Sequence, residues 1–465
     1  MKTILSKIPR VMVVACGSGA GKTTVTCGIL KTLINRGLKA ASFKCGPDYI
    51  DPMFHTKVIG VNSRNLDVFL CGAETVKYLF GKNARDVDFS VIEGVMGMYD
   101  GQGLGDVGSA NDLSLLTDTP EIVVLNPNGM GFSVVAQLHG FMSFKKNNIA
   151  GVLLNNTSES LFHYYREMIE TNLKLKVYGY LPKTDGISFE SRHLGLVTAD
   201  EITDIDLKLN RIADLCEKSI DIDGLIELGR RSAAFEYTDK SVSKITSDEG
   251  GRNVRIGVAM DRAFCFYYED ALDLFRMLGA EIVPFSPLSD ASLPDHLDGL
   301  IFGGGYPEEH ARALSQNRSM KRHVKSAVED GTPVIAECGG YMYLCRTLRD
   351  RFGDEFEMAG VIETSCFMTE RLSRFGYVTM TAKEQNMLLC AGETINAHEF
   401  HYSDSEDNGD AFIARRINGK AYGCTHTREN LFAGYPHFHL WGNIHAAQNF
   451  IRKCEEKKNE FKRSH

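Results

Sequence analysis

None of the twelve cysteines has a partner at C-x-x-C spacing. Scattered from Cys16 to Cys454, they fit reduced thiols in a cytosol and give no disulfide framework or thiolate metal site. Long apolar runs are missing too. The N-terminus offers only Val11 to Cys16, too brief for a signal core or a membrane span, so a cytoplasmic, membrane-free protein is expected. Nor is there an excess of positive charge. A formal net charge of -8 leaves no concentrated basic surface to displace counterions, so nucleic acid is not an expected partner. The run Lys453 to Arg463 mixes Glu455, Glu456 and Glu460 with its lysines and reads as a solvated helix end. No repeat of repeat-protein length is visible.

What is present suits a globular enzyme. Apolar residues make up 43% and charged residues 24%, and 465 residues exceed what one core normally supports, so two domains are expected. Short apolar runs at Val11–Ala15, Ala40–Phe43, Phe89–Ile92, Ile122–Leu125 and Gly151–Leu154 alternate with helical stretches. The same alternation restarts at Val254–Ala259, Glu281–Pro284, Gly299–Phe302 and Pro333–Ala336. It predicts two α/β domains with parallel sheets. The polar stretch between them, with Ser241, Ser243 and the pair Gly250-Gly251, places a linker at 231–252 between domains at 1–230 and 253–465.

The first strand runs into Cys16-Gly17-Ser18-Gly19-Ala20-Gly21-Lys22-Thr23-Thr24 and then a helix with Val25, Ile29, Leu30 and Leu33 in apolar period. Glycines let backbone N–H groups approach phosphate oxygens, the helix start adds positive potential, Lys22 reaches the terminal phosphates, and the Thr23 hydroxyl can ligate magnesium. ATP binding through Gly17 to Thr24 follows, although Cys16 stands where the strict motif has its first glycine. Two acid-bearing loops, around Asp48 and from Glu93 to Asp100, follow other strands. Loops of this kind gather at the carboxyl edge of a parallel sheet, where Asp48 and Glu93 would complete the magnesium shell. Taken singly, each acid reads more as a turn former or helix cap than as a ligand, and only together with the phosphate loop do they favour the site.

In the second half, Val334-Ile335-Ala336-Glu337-Cys338-Gly339-Gly340 puts a cysteine between a buried strand and a helix. This is nucleophile-elbow spacing, in which a tight turn exposes the thiol and nearby N–H groups bind an oxyanion. Gly304 and Gly305, in the run Gly303-Gly304-Gly305-Tyr306-Pro307-Glu308, join Gly339 as oxyanion candidates. Gly434-Tyr435-Pro436-His437-Phe438-His439 offers an imidazole, His437, to deprotonate Cys338.

These motifs, with Gly46-Pro47-Asp48-Tyr49-Ile50-Asp51-Pro52, Ser191-Arg192-His193-Leu194-Gly195-Leu196 and His398-Glu399-Phe400-His401-Tyr402-Ser403, resemble the cobyrinate a,c-diamide synthase family nearly end to end. The resemblance implies a dethiobiotin-synthetase-like amidoligase domain followed by a class I-like (triad) glutaminase domain. It implies ATP, magnesium, L-glutamine and cobyrinate as cofactor and substrates, amidation through an acyl phosphate, and a place in anaerobic cobalamin synthesis. By the same resemblance Cys338 is the nucleophile, Asn155 lies near adenine, and Tyr49, Asp51 and Asp100 face the macrocycle. Arg192 and His193 are candidates for the polyanionic substrate, a structural arginine being the alternative. His439 stands where the ordinary triad has its acid, so the third triad member is open. Ammonia made at one site and used at the other calls for an internal passage.

Three rivals remain at this stage. The sister activity on nickel-sirohydrochlorin, in coenzyme F430 synthesis, shares every motif. A partitioning-type ATPase switch would carry a lysine where this chain has Gly17 and would have no use for Cys338 and His437. A binding module with a dead glutaminase would differ only in failing to turn over glutamine. The oligomeric state is open, a homodimer included.

Overall fold

The computed structural model describes residues 2–183, 191–192, 195–196, 204–240 and 254–464. They form two compact units, one of Met1–Val68 with Gly72–Lys240 and the other of Phe69–Cys71 with Ser241–His465.

The first unit is built on seven parallel strands in the order Arg64–Leu66, Ala40–Cys45, Phe89–Glu93, Arg10–Ala15, Glu121–Leu125, Ile149–Asn155, Val177–Leu181. Every residue of Arg10–Ala15, Ala40–Cys45, Phe89–Glu93 and Glu121–Leu125 is buried. Helices cover both faces of such a sheet, so its strands read as continuous apolar runs. Register places Lys44 opposite Glu93, and Glu93 opposite Val13, which brings two charged residues to one level just before the phosphate loop. Arg10 is fully buried and bonds the carbonyls of Ile8, Thr117, Asp118 and Ala233, a structural use of a cation.

The span 231–252 is not all connection. Phe235–Thr238 is a strand antiparallel to Thr3–Ser6, with Phe235 and Tyr237 turned into the first unit's core. The ring of Tyr237 lies where a side chain on Gly81 would stand. The alternation Phe-Glu-Tyr-Thr is a strand signal that the surrounding polar residues mask.

The second unit has a six-stranded sheet in the order Glu281–Phe285, Arg255–Ala259, Gly299–Phe302, Val334–Glu337, Leu431–Gly434, His426–Arg428, parallel except for the last strand. Between its fourth and last parallel strands, and with His437–Phe438 just after them, the chain builds two further sheets. The larger is antiparallel, ordered Ala421–Cys424, Phe412–Arg416, Arg374–Ala382, Thr394–His401, His437–Phe438. These sheets lie outside the parallel pattern expected for the domain. The helix Ile444–Ser464 ends the described chain, with Ala446, Ala447, Phe450, Ile451 and Cys454 buried and Arg452, Glu456 and Glu460 exposed. No helix among the described residues is long and apolar enough to cross a membrane.

Candidate active sites

In the first unit the strand Arg10–Ala15 ends at the phosphate loop, and the helix Lys22–Asn35 begins from Gly21 in the left-handed region at φ 94°. A side chain on Gly21 would be strained at that φ and would meet the Asn155 amide nitrogen at 2.0 Å, which must then move. Asn155 Nδ2 donates to Ala20 O at 2.8 Å and fastens the loop from the end of the strand Ile149–Asn155, two strands over. Lys22 is buried, its Nζ donating to Met96 O at 2.5 Å and Gly17 O at 3.4 Å. Burial, and then Lys44, hold its pKa below the ordinary lysine value.

Thr23 Oγ1 donates to Glu93 Oε1 at 2.8 Å. The same carboxylate receives Lys44 Nζ at 3.0 Å and His55 Nε2 at 2.7 Å, all three side chains being buried. Burial alone would raise the Glu93 pKa, but Lys44 and His55 outweigh it and hold Glu93 ionised. The second carboxylate on Lys44 is Asp51, 2.5 Å away and 9% exposed. Burial and Asp48 push the Asp51 pKa upward, and Lys44 works against them. Lys44 is driven down by burial and more strongly up by Asp51, Glu93 and Asp48, and stays charged.

Of the magnesium candidates, Thr23 and Glu93 stand together. Two oxygens 2.8 Å apart suit adjacent corners of an octahedral shell, where bonds of about 2.1 Å put neighbours about 3 Å apart. Asp48 serves as a helix cap through one of its two oxygens. Its Oδ1 accepts from Ile50 N at 2.8 Å and Asp51 N at 3.3 Å, capping the helix Ile50–Ile59. Asp51, a substrate candidate, is buried in the first turn of that helix with its carboxylate on Lys44. Asp100 is exposed and its Oδ2 accepts from Gly97 N at 2.8 Å, which shapes the loop. Tyr49 is half-buried at the start of the helix. Arg192 lies on the short strand Ser191–Arg192, paired with Gly195–Leu196, and His193 lies outside the described residues.

In the second unit, Cys338 follows the strand Val334–Glu337 at φ 46° and ψ -103°, a conformation that costs a non-glycine residue about 1–3 kcal/mol and collects at functional sites. Its N–H donates to Gly434 O at 2.8 Å and its carbonyl accepts from Met342 N at 2.9 Å, tying the turn to the neighbouring strand and to the helix Gly339–Leu344. The helix can start this tightly because Gly340 has no side chain. A Cβ there would lie 2.2 Å from Phe302 O. Gly340→Ala should therefore cost about 3 kcal/mol or more, read as a fall in denaturation midpoint.

The oxyanion candidates converge on the same turn. A Cβ on Gly339 would lie 3.1 Å from Gly305 N, and one on Gly304 would lie 2.5 Å from His437 Cε1. Gly303 N donates to the Tyr267 hydroxyl at 2.9 Å, holding the glycine loop from behind. His437 is buried, hydrogen-bonds Cys338, and has its Nδ1 3.3 Å from Glu337 Oε2. Burial works to lower its pKa, but the bonds to Cys338 and Glu337 outweigh burial and carry it up to about 10. His439 is elsewhere. It stacks on Tyr268 at 4.8 Å, its Nδ1 accepts from Trp441 N at 3.3 Å, and burial pushes it down to about 3.

Sequence reasoning assigned no role to Lys44, His55 or Glu337. Asp51 and His55 are four apart, one face of a helix, which was a usable signal. Lys44, one residue before the end of its strand, stands at the level where Glu93 ends the next, a pairing that only register reveals.

The two sites define a nucleotide-binding unit joined to a glutamine amidotransferase. Comparison with known proteins agrees. Residues 11–197 match the CobQ/CobB/MinD/ParA nucleotide binding domain, and residues 255–444 match the CobB/CobQ-like glutamine amidotransferase domain. Cobyrinate a,c-diamide synthase of Clostridium acetobutylicum is 39% identical over 95% of this chain and 99% of its own. That of Caldanaerobacter subterraneus subsp. tengcongensis is 39% identical over 95% and 98%, and that of Thermoplasma volcanium 38% over 96% and 98%. The chain belongs to the cobyrinate a,c-diamide synthase family and is an ATP-binding ligase.

Proposed function

We propose that this chain amidates the a- and c-carboxylates of cobyrinate with nitrogen from glutamine or free ammonia, in the cytoplasm and within anaerobic cobalamin synthesis. The observation that carries the reading is the two-way coverage of nearly whole chains by relatives named for that reaction, 95% of this chain and 99% of the first relative. Both chemistries the reaction needs have candidate groups on this one chain.

In the first unit the γ-phosphoryl of ATP passes to a carboxylate oxygen, giving an acyl phosphate and ADP. Lys22 neutralises charge on the transferred group, and the loop amides of Gly17 to Thr24 hold the phosphates. Ammonia then adds to the acyl carbon and phosphate leaves with the C–O bond pair. Thr23 and Glu93, with Asp48, would hold a magnesium ion, whose bound charge supplies electrostatic stabilisation of the phosphates. Asn155 supports the loop beside the nucleotide, and Tyr49, Asp100 and Arg192 are the candidates for substrate contact.

In the second unit the Cys338 thiolate attacks the side-chain carbonyl carbon of glutamine. The oxyanion is received by N–H groups at Gly304, Gly305 and Gly339. The His437 imidazolium gives its proton to the departing ammonia, and water then cleaves the thioester to glutamate.

The test is to incubate purified protein with ATP, magnesium, glutamine and either cobyrinate or nickel-sirohydrochlorin, reading diamide by mass spectrometry. Diamide from cobyrinate is expected. Diamide from nickel-sirohydrochlorin alone would overturn the substrate assignment. Asp48→Asn should keep the helix cap, since the amide oxygen still accepts, and so leave the melting temperature within a few degrees. The magnesium concentration for half-maximal turnover should rise about tenfold or more. An unchanged magnesium requirement with a large loss of stability would assign Asp48 to capping alone.

A further inference from the structure

His439 cannot act as the acid behind His437, because its ring is fixed between Tyr268 and the Trp441 amide. Other charged and titratable groups near His437 are also engaged. His398, directly opposite on the adjacent strand, is lowered to about 3 by burial and His437, and is neutral. Glu399 is buried with Arg374 at 3.3 Å, the Tyr422 hydroxyl and His401 at 3.8 Å. Tyr267 is occupied by Gly303 N and Ala259 O.

We propose that Glu337, the residue immediately before the nucleophile, is the third member of the glutaminase constellation, a positioning carboxylate that fixes the His437 ring through Nδ1 and steadies its protonated form. This rests on the reading of Cys338 and His437 as nucleophile and base.

Local geometry explains how consecutive residues can both serve one ring. In a regular strand, Glu337 and Cys338 would point to opposite faces. The strand ends at Glu337, and the left-handed turn at Cys338, φ 46°, breaks that alternation. Both side chains thereby reach His437, Glu337 at Nδ1 and Cys338 by the hydrogen bond to the thiol. The Glu337 side chain is 14% exposed and the His437 side chain 4%, so the contact is shielded enough for the charge to matter. A carboxylate on Nδ1–H selects the tautomer that presents Nε2 to sulfur and stabilises the imidazolium that must later protonate ammonia. The strained elbow thus does two things at once, exposing the thiol and recruiting the acid.

The experiment compares glutamine hydrolysis by the full chain with Glu337→Gln, Glu337→Asp and Cys338→Ala, with thermal melting as a folding control. Glutamine at 337 keeps the size of the side chain and can still accept from Nδ1–H, but it removes the charge. Expected for Glu337→Gln is a kcat lower by about a hundredfold with KM for glutamine within about threefold. Its alkaline limb of the kcat/KM profile should move down by about one pH unit, because the imidazolium loses its neighbouring anion. Glu337→Asp should return the limb toward the wild-type position while recovering part of kcat. A purely structural glutamate would change melting temperature or the active fraction and leave the limb where it was. A Glu337→Gln enzyme with the wild-type alkaline limb overturns the proposal, whatever its kcat. Hydrolysis surviving in folded Cys338→Ala would instead overturn the underlying nucleophile reading, so the two failures are told apart.

Discussion

Cys338→Ala is expected to lower glutamine-dependent amidation by a factor on the order of 10⁴ or more, while amidation with ammonium at mildly alkaline pH stays near the wild-type rate. The thiolate has no substitute at this position. Cys338 is 8% exposed at the tip of a turn whose conformation is set by Gly434, Met342 and the contact between Gly340 and Phe302. Removing one sulfur leaves those backbone bonds in place, so the cost to folding should be about 1 kcal/mol. Cys338→Ser should be almost as inactive, since a hydroxyl is far less acidic than a thiol and the imidazole here is matched to sulfur. His437→Ala should retain more activity than Cys338→Ala, because a fraction of the thiol ionises without help. Product formation by purified variants with each nitrogen source checks all three. Normal glutamine-dependent activity in folded Cys338→Ala would remove the glutaminase assignment, and loss of both activities would mean that the elbow supports the fold.

The same residues show why part of the molecule can be read from sequence and part cannot. Central strands of the parallel sheets are buried on both faces, so Val11–Ala15, Phe89–Ile92 and Gly299–Phe302 stand out as apolar runs that lie within the observed strands. Val177–Leu181 is an edge strand carrying Gly179 at φ 137°, and Arg64–Leu66 has three residues, so neither presents such a run. The antiparallel sheet was illegible for a different reason. Thr394–His401 buries His398, Glu399 and His401, and polar residues at inward positions erase the alternation by which a half-buried strand is known.

Site residues divide along a similar line. Glycines and the nucleophile are legible because local backbone geometry dictates them: Gly21 beside Asn155, Gly340 against Phe302 O, Cys338 between strand and helix. Groups whose place depends on a partner far along the chain are not. Lys44 meets Glu93 across 49 residues, His55 meets it across 38, and Glu337 meets His437 across 100. The inward turn of Asp51 belongs with them, since it follows from where Lys44 stands.

Lys22→Ala is expected to lower amidation with glutamine and with ammonium alike, by about 10²–10³-fold, because both nitrogen sources need the same activated carboxylate. In the structure Lys22 is folded back over its own loop, its ammonium held by Gly17 O and Met96 O. Burial, with Lys44 nearby, keeps that ammonium less basic than a free lysine. A phosphate entering the loop offers it a full charge in place of two neutral dipoles, so the interaction strengthens as charge develops on the transferred group. Alanine removes a buried cation and leaves two carbonyl oxygens to find water, a stability change of about 1–2 kcal/mol that melting can separate from the kinetic effect. Thr23→Ala should show the same equal loss with both nitrogen sources, since the hydroxyl on Glu93 belongs to the phosphate side of the reaction. Rates of diamide formation at saturating glutamine and then saturating ammonium measure the loss. If Lys22→Ala kept near-normal ammonium-dependent amidation, nucleotide activation would have to occur away from this loop, and the role given to the first unit would fall.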